Sequence, residues 1–239
     1  MNTLLEGFLE AIRLIIALDP ATYQALGLSL KVTLYALFIS SVAGFPIGIL
    51  LAFSSFWGKK TLVNLIYTFM GFPPVVAGLL VYLMYSRQGP LGSLQLLFTP
   101  HVMIVAQIIL ALPVIIGLTY LGIKAVDPSI ASLAHTLGAS RWQISWMVLK
   151  EMRLAILGAL ITAFGAAISE VGAAMLVGGN IAVYTRSLTT ALMLETRQGN
   201  FARALALGLI LITVSFVINV LLVTITENKA YRRYARSSS

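Results

Sequence analysis

The sequence predicts an all-α integral membrane protein, with five transmembrane helices preceded by an N-terminal amphipathic helix. Three observations predict it. Of 239 residues, 59% are hydrophobic and only 10% are charged, whereas a soluble domain carries about 25% charged residues. So little charge cannot form a polar shell, and lipid must solvate most of the surface. Five stretches reach the roughly 20 apolar residues that a bilayer-spanning helix needs. The basic residues gather at the ends of these stretches, so the net charge of +8 reports membrane topology and not nucleic-acid binding.

The elements follow in order. In the first segment, 2–18, Leu5, Phe8, Ile12, Ile15 and Ile16 share one helical face, with Glu6, Glu10 and Arg13 opposite. That pattern suits a helix lying in the membrane interface; a short extra span is the alternative. Asp19-Pro20 ends it. The expected spans are 28–56, 62–85, 101–123, 154–177 and 201–226. Pro73-Pro74 falls at the centre of the second and Pro113 inside the third. Such breaks fit either a flexible point beside a pathway or a fixed packing kink.

Ten of the 16 Lys and Arg residues follow the first, third and fifth spans, among them Lys59, Lys60, Lys124, Lys150 and Arg233. That side is expected to be cytoplasmic, which puts the N-terminus outside and the C-terminus inside. No loop is long enough for a separate soluble domain, no internal repeat is visible, and Ser237–Ser239 form a polar tail. Glu6 and Glu10 argue against a cleavable signal. The chain has no cysteine, hence no disulfide framework, thiolate metal site or cysteine nucleophile. His101 and His135 are isolated, without metal-ligand spacing, so no metal site and no catalytic residue are expected.

Between the third and fourth spans, Asp127-Pro128 is a strong helix start and Gly138 a natural stop. On the short helix between them, Ile130, Leu133 and Leu137 form an apolar ridge. Arg141 and Trp142 follow as an interface anchor pair. The ridge either packs beneath the bundle or meets a second protein. "SLAHTLGASRWQISWMVLKEMR" resembles the coupling-helix region of ABC importer permeases, whose pattern is Glu-Ala-Ala, three residues, then Gly. Ala134 and Gly138 match; Ser132 stands in place of the Glu and Leu133 in place of the first Ala. The resemblance implies that the segment 127–141 docks into a cytoplasmic ATPase, through Asp127, Ile130, Leu133, Ala134, Leu137, Gly138, Ala139, Ser140 and Arg141.

Sorted as one continuous helix, the fourth span has a small side of Gly158, Thr162, Gly165, Ala166, Ser169, Gly172 and Ala173. Leu157, Ile161, Phe164, Ile168, Val171 and Met175 form the other side, which is expected to face acyl chains. Glu170 borders the small side; it is either part of a gate or a structural hydrogen-bond hub. Pro73, Pro74, Ser169, Glu170 and Gly172 are therefore the pathway or gate candidates. In the outer loop 178–200, Thr185, Arg186 and Arg197 offer the hydroxyl and guanidinium groups of an oxyanion vestibule. The same groups also suit contact with a binding protein or a solvated loop.

"ISEVGAAMLVGGN" and "FPPVVAGLLVYLMYSRQGPLG" resemble the matching regions of molybdate, tungstate and sulfate permeases, and lie closest to tungstate permeases. With the coupling region, the resemblance covers nearly the whole chain. It implies a type I ABC importer permease fold in a single domain, 1–239, in the cytoplasmic (inner) membrane. It also implies a homodimer, two ABC ATPase subunits below and an extracytoplasmic oxyanion-binding protein above. ATP and Mg would be bound by the partner, since this chain has no G-x-x-x-x-G-K-[ST] loop and no cofactor of its own. Molybdate or sulfate import, or ATP-independent secondary transport, are the alternatives.

Overall fold

A computed structural model describes residues 2–17 and 19–237, without the side chains of residues 2, 3, 128, 141 and 225–237. Leu18, the expected end of the first helix, and residues 238–239 of the polar tail lie outside the described residues. Those described form α-helices and no strand. α1 (Asn2–Ile16) precedes Asp19, whose carboxylate accepts the Thr22 N–H at 2.9 Å and the Thr22 hydroxyl at 2.6 Å. This caps α2 (Pro20–Phe53) with proline in its first turn. At 34 residues α2 is about 51 Å long, so it starts eight residues before the expected span and stops at Ser54.

α3 (Lys59–Met70) and α4 (Pro74–Tyr85) meet at 98°. The expected second span is thus two helices and not one kinked helix. Pro73 and Pro74 both lack an N–H, and Phe72 before them is kept out of helical geometry. A short 3-10 turn at Gly92–Leu94 leads to α5 (Pro100–Lys124), which runs through Pro113 without a break. α2 and α5 pack side by side because Gly44 and Gly48 admit close approach. A Cβ on either would stand 2.8 Å from Ile115 or Thr119.

α6 (Pro128–Thr136) is capped by Asp127, which accepts the Ser129 N–H at 2.8 Å. Gly138 turns the chain at φ +81°. α7 (Arg141–Glu151) then begins on a capping box between Ser140 and Gln143, a helix the sequence reading missed. It meets α8 (Arg153–Ile168) at 55°.

The expected fourth span is also interrupted: α8 ends at Ile168 and α9 (Gly172–Gly178) restarts after Ser169–Val171. A second correction concerns its faces. Leu157, Phe164 and Ile168 are buried, while Gly158, Thr162, Ala166 and Ser169 are exposed. Phe164 fills a core with Leu37, Ala111, Val114 and Ile115. The bulky side of α8 therefore packs inside the protomer and Gly158, Thr162, Ala166 and Ser169 are left open, whereas Ala173 of the expected small side is buried.

The outer loop contains its own helix, α10 (Leu188–Arg197), and α11 (Phe201–Ser237) closes the fold. α1 packs on α11 through Gly7, Ala11 and Leu14, while Leu5, Phe8, Ile12, Ile15 and Ile16 stay exposed. The exposed apolar stripe is suited to lipid. α2, α5 and the stretch Phe201–Thr224 are long and apolar enough to cross a membrane singly; the two bent pairs bring the total to as many as five.

Candidate functional site

The first site is the ridge of α6. Leu133 is 63% and Leu137 81% exposed, and Ile130 is half-buried. With Ala134, Ala139 and Met147 they line an apolar groove of about 370 Å³. The remaining residues of the segment shape the ridge. Asp127 and Ser140 cap the two helices, and Gly138 makes the turn between them. Ala134 is buried beneath the ridge and accepts the Ala139 N–H at 3.0 Å. Ser129's N–H, then its hydroxyl, hold the Asp127 carboxyl below the usual aspartate range. Arg141 opens α7, but its side chain lies outside the described residues.

The second site joins the two broken spans. A Cβ on Gly172 would stand 2.6 Å from Val75 Cγ2, and one on Gly78 would stand 2.6 Å from Ala173 Cα. The helix starts after Pro73-Pro74 and after Glu170 therefore pack directly against each other. Pro73, Pro74, Glu170 and Gly172, distant in sequence, share one junction.

Glu170 points into this junction, with 8% of its surface exposed. Its Oε1 accepts the Ala173 N–H at 2.6 Å and so caps α9. Thr189 Oγ1 donates to the Glu170 carbonyl at 2.9 Å, and its hydroxyl lies 2.9 Å from Ser187 Oγ. Ser29 on α2 accepts the Leu188 N–H at 2.8 Å. Gln107 on α5 donates Nε2 to the Ala167 carbonyl at 3.0 Å. These side chains, with Val32, Met103, Ile168 and Ala174, line a small cavity of about 10 Å³, near the lower limit of what a single water needs. The sequence reading missed Ser29 and Gln107. Gln107 carried a usable signal: an amide in the middle of an apolar run is costly unless partnered.

Ser169, one residue from Glu170, points the other way. It is exposed on the open face with Gly158, Thr162 and Ala166, and its hydroxyl donates to the Gly165 carbonyl at 2.6 Å. The open face is thus neutral and lined by small groups, while the carboxylate is turned inward.

The three residues expected of a vestibule are placed differently. Thr185 is fully buried; it bonds the Gly178 carbonyl and accepts the Ile181 N–H, so it braces the loop and faces no solvent. Arg186 donates to Asn180 Oδ1 at 3.2 Å and to its carbonyl at 3.3 Å. Arg197 is exposed at the end of α10. Hydroxyls in this loop answer buried backbone groups, which bind them more firmly than solvent-facing roles would. Among the described residues no three His, Cys, Asp or Glu gather to hold a metal.

Residues 44–228 match the family model described as binding-protein-dependent transport system inner membrane component. The chain is 38% identical over 227 residues to the tungstate uptake system permease protein of Peptoclostridium acidaminophilum, covering 95% of this chain and all of that one. It is 42% identical over 198 residues to a probable anion ABC transporter permease of Haloferax volcanii, covering 81% and 85%. Its fold is similar to a methionine ABC transporter solved in inward-facing conformations, with TM-score 0.69 at 16% identity, covering 90% and 97%.

Proposed function

The chain belongs to the binding-protein-dependent transport system inner membrane component family, and from that premise we propose that it is the permease of an ABC importer for tungstate or a closely related oxyanion. It is a multi-pass inner-membrane subunit with the type I importer permease fold. The substrate reading draws on the similarity to a tungstate uptake permease along that relative's whole length.

One observation carries the mechanism: an apolar ridge, Leu133 on a nine-residue helix and Leu137 at its C-cap, stands exposed. A buried leucine is worth about 1.5–3 kcal/mol relative to an exposed one, so a partner that covers the ridge gains a firm grip. The partner is a cytoplasmic ATPase subunit, one per copy of a homodimer, which holds ATP and Mg. When ATP draws the two ATPases together, the ridges move inward and the outer mouth opens. A binding protein then delivers the anion, and hydrolysis reopens the inner side. In this arrangement the N-terminus is extracytoplasmic and the C-terminus cytoplasmic.

The small face of α8 suits this role. Gly158, Thr162, Ala166 and Ser169 are open at the protomer surface, where a second copy or the pathway adjoins them. Glu170 is turned away from that face, so its carboxylate does not oppose a passing anion.

The test is uptake into vesicles holding the permease, its ATPase and its binding protein. ATP-dependent accumulation of tungstate in preference to sulfate is expected. Accumulation without the ATPase would point to secondary transport, and a preference for sulfate would overturn the substrate reading.

A further inference from the structure

The corner where α2 turns into α3 is built from residues that neither the α6 ridge nor the junction uses. Phe56 is half exposed and Trp57 is 100% exposed. They continue an apolar belt formed by exposed Leu50 and Phe53 on α2 and by Leu62 and Leu65 on α3. A fully exposed tryptophan at the end of a membrane helix is at home at the level of lipid headgroups.

Positive charge sits beside it. Lys59 Nζ donates to the Ser54 carbonyl at 2.7 Å and to the Ala52 carbonyl at 3.4 Å, which holds it over the end of α2. The same ammonium lies 5.6 Å from the centre of the Tyr120 ring, and Lys124 reaches that ring at 6.0 Å. Lys60 is exposed next to them. Among the described residues none of these three lysines has an acidic partner within ion-pair distance. Ser54, Ser55, Trp57, Lys59 and Lys60 line a concavity of about 900 Å³. Basic concavities between membrane helices at the headgroup level are suited to acidic lipid headgroups.

We propose that this corner binds the phosphate headgroup of an anionic phospholipid, with Lys59, Lys60 and Lys124 around the phosphate and Trp57 and Phe56 among the upper acyl chains. A protein partner fits less well, because the aromatic pair is continuous with the belt that faces lipid. The proposal does not depend on which anion the importer carries.

The experiment uses the full-length chain with Trp142→Phe and Trp146→Phe, so that Trp57 alone fluoresces. It is reconstituted with brominated phosphatidylglycerol or brominated phosphatidylcholine at equal mole fraction. Stronger quenching by the glycerol lipid is expected, with its preference falling about fivefold for each of Lys60→Gln and Lys124→Gln. Lys60→Arg and Lys124→Arg should keep it. Equal quenching by the two lipids in the unaltered background overturns the proposal without any lysine variant. So does displacement of the lipid by millimolar inorganic phosphate, which would mark a site for a free anion.

Discussion

Thr189 Oγ1 donates to the main-chain carbonyl of Glu170 at 2.9 Å, which ties α10 to the break between α8 and α9. A break in a membrane helix frees carbonyls and N–H groups that water cannot reach, and other groups must satisfy them. Here Glu170 Oε1 takes the Ala173 N–H and Thr189 answers the carbonyl.

Both of these Glu170 contacts are hydrogen bonds with main-chain or hydroxyl partners, the arrangement a structural hub would make. Glu170→Gln keeps an acceptor oxygen and should leave uptake near normal. Glu170→Leu leaves the Ala173 N–H without its partner, at a cost of about 1–3 kcal/mol. Thermal unfolding of the detergent-solubilised protein, with uptake alongside, checks both. Severe loss of transport in the glutamine variant, with unchanged stability, would mean that charge itself matters.

The proposed role of the α6 ridge gives a prediction that separates folding from coupling. Leu137 is 81% exposed, so Leu137→Asp should not change the melting temperature of the permease alone. In the complex it would place a charge against a desolvated surface. ATP-driven uptake should fall at least about tenfold, the equivalent of ~1.4 kcal/mol, while ATP hydrolysis continues. Normal uptake by both Leu133→Asp and Leu137→Asp would remove the ridge from the mechanism.

Asp19 makes one corner of the fold sensitive to acid. The Thr22 hydroxyl chiefly, then the Thr22 N–H and Arg203, hold its carboxyl below the ordinary aspartate value, against some burial. Arg203 reaches it at 3.4 Å and also reaches Glu195 at 3.5 Å. A depressed carboxyl contributes stability that is present above the unfolded value of about 3.9 and is lost as pH falls through the lower folded value. Acidification below about pH 4 should thus loosen the cap of α2, and Asp19→Asn should remove that pH-dependence. Melting temperatures across a pH series test this.

Sequence reading was most reliable where a residue forbids something. Pro73-Pro74 cannot continue a hydrogen-bond ladder, so a break there was legible, although its 98° angle was not. Asp127 and Gly138 bounded the α6 ridge for similar reasons. The break after Ser169 was hidden because neither Ser169, Glu170 nor Val171 forbids a helix. The local cap from Glu170 to the Ala173 N–H and the long-range bond from Thr189 together satisfy groups that the interruption frees. Helical periodicity divided α8 into bulky and small faces but could not say what each face meets. Phe164 turned out to be core, and Gly158 surface. The outer hydroxyls were visible, but their burial against loop carbonyls was not.

Two glycines should fail in opposite ways. At Gly78 a new Cβ would stand 2.6 Å from the Cα of Ala173, a backbone atom that cannot swing aside. Gly78→Ala should therefore push α4 off α9 and cost about 1–3 kcal/mol of stability in the protomer itself. At Gly158 a Cβ meets nothing within 4 Å of the same chain. Gly158→Leu should leave the protomer's melting temperature unchanged, yet keep a second copy from approaching the small face of α8. Size-exclusion chromatography with light scattering would then report a shift from dimer to monomer for Gly158→Leu and none for Gly78→Ala at temperatures where it stays folded. A dimer unaffected by leucine at 158 would leave that face to the pathway alone, and uptake should then fall with assembly intact.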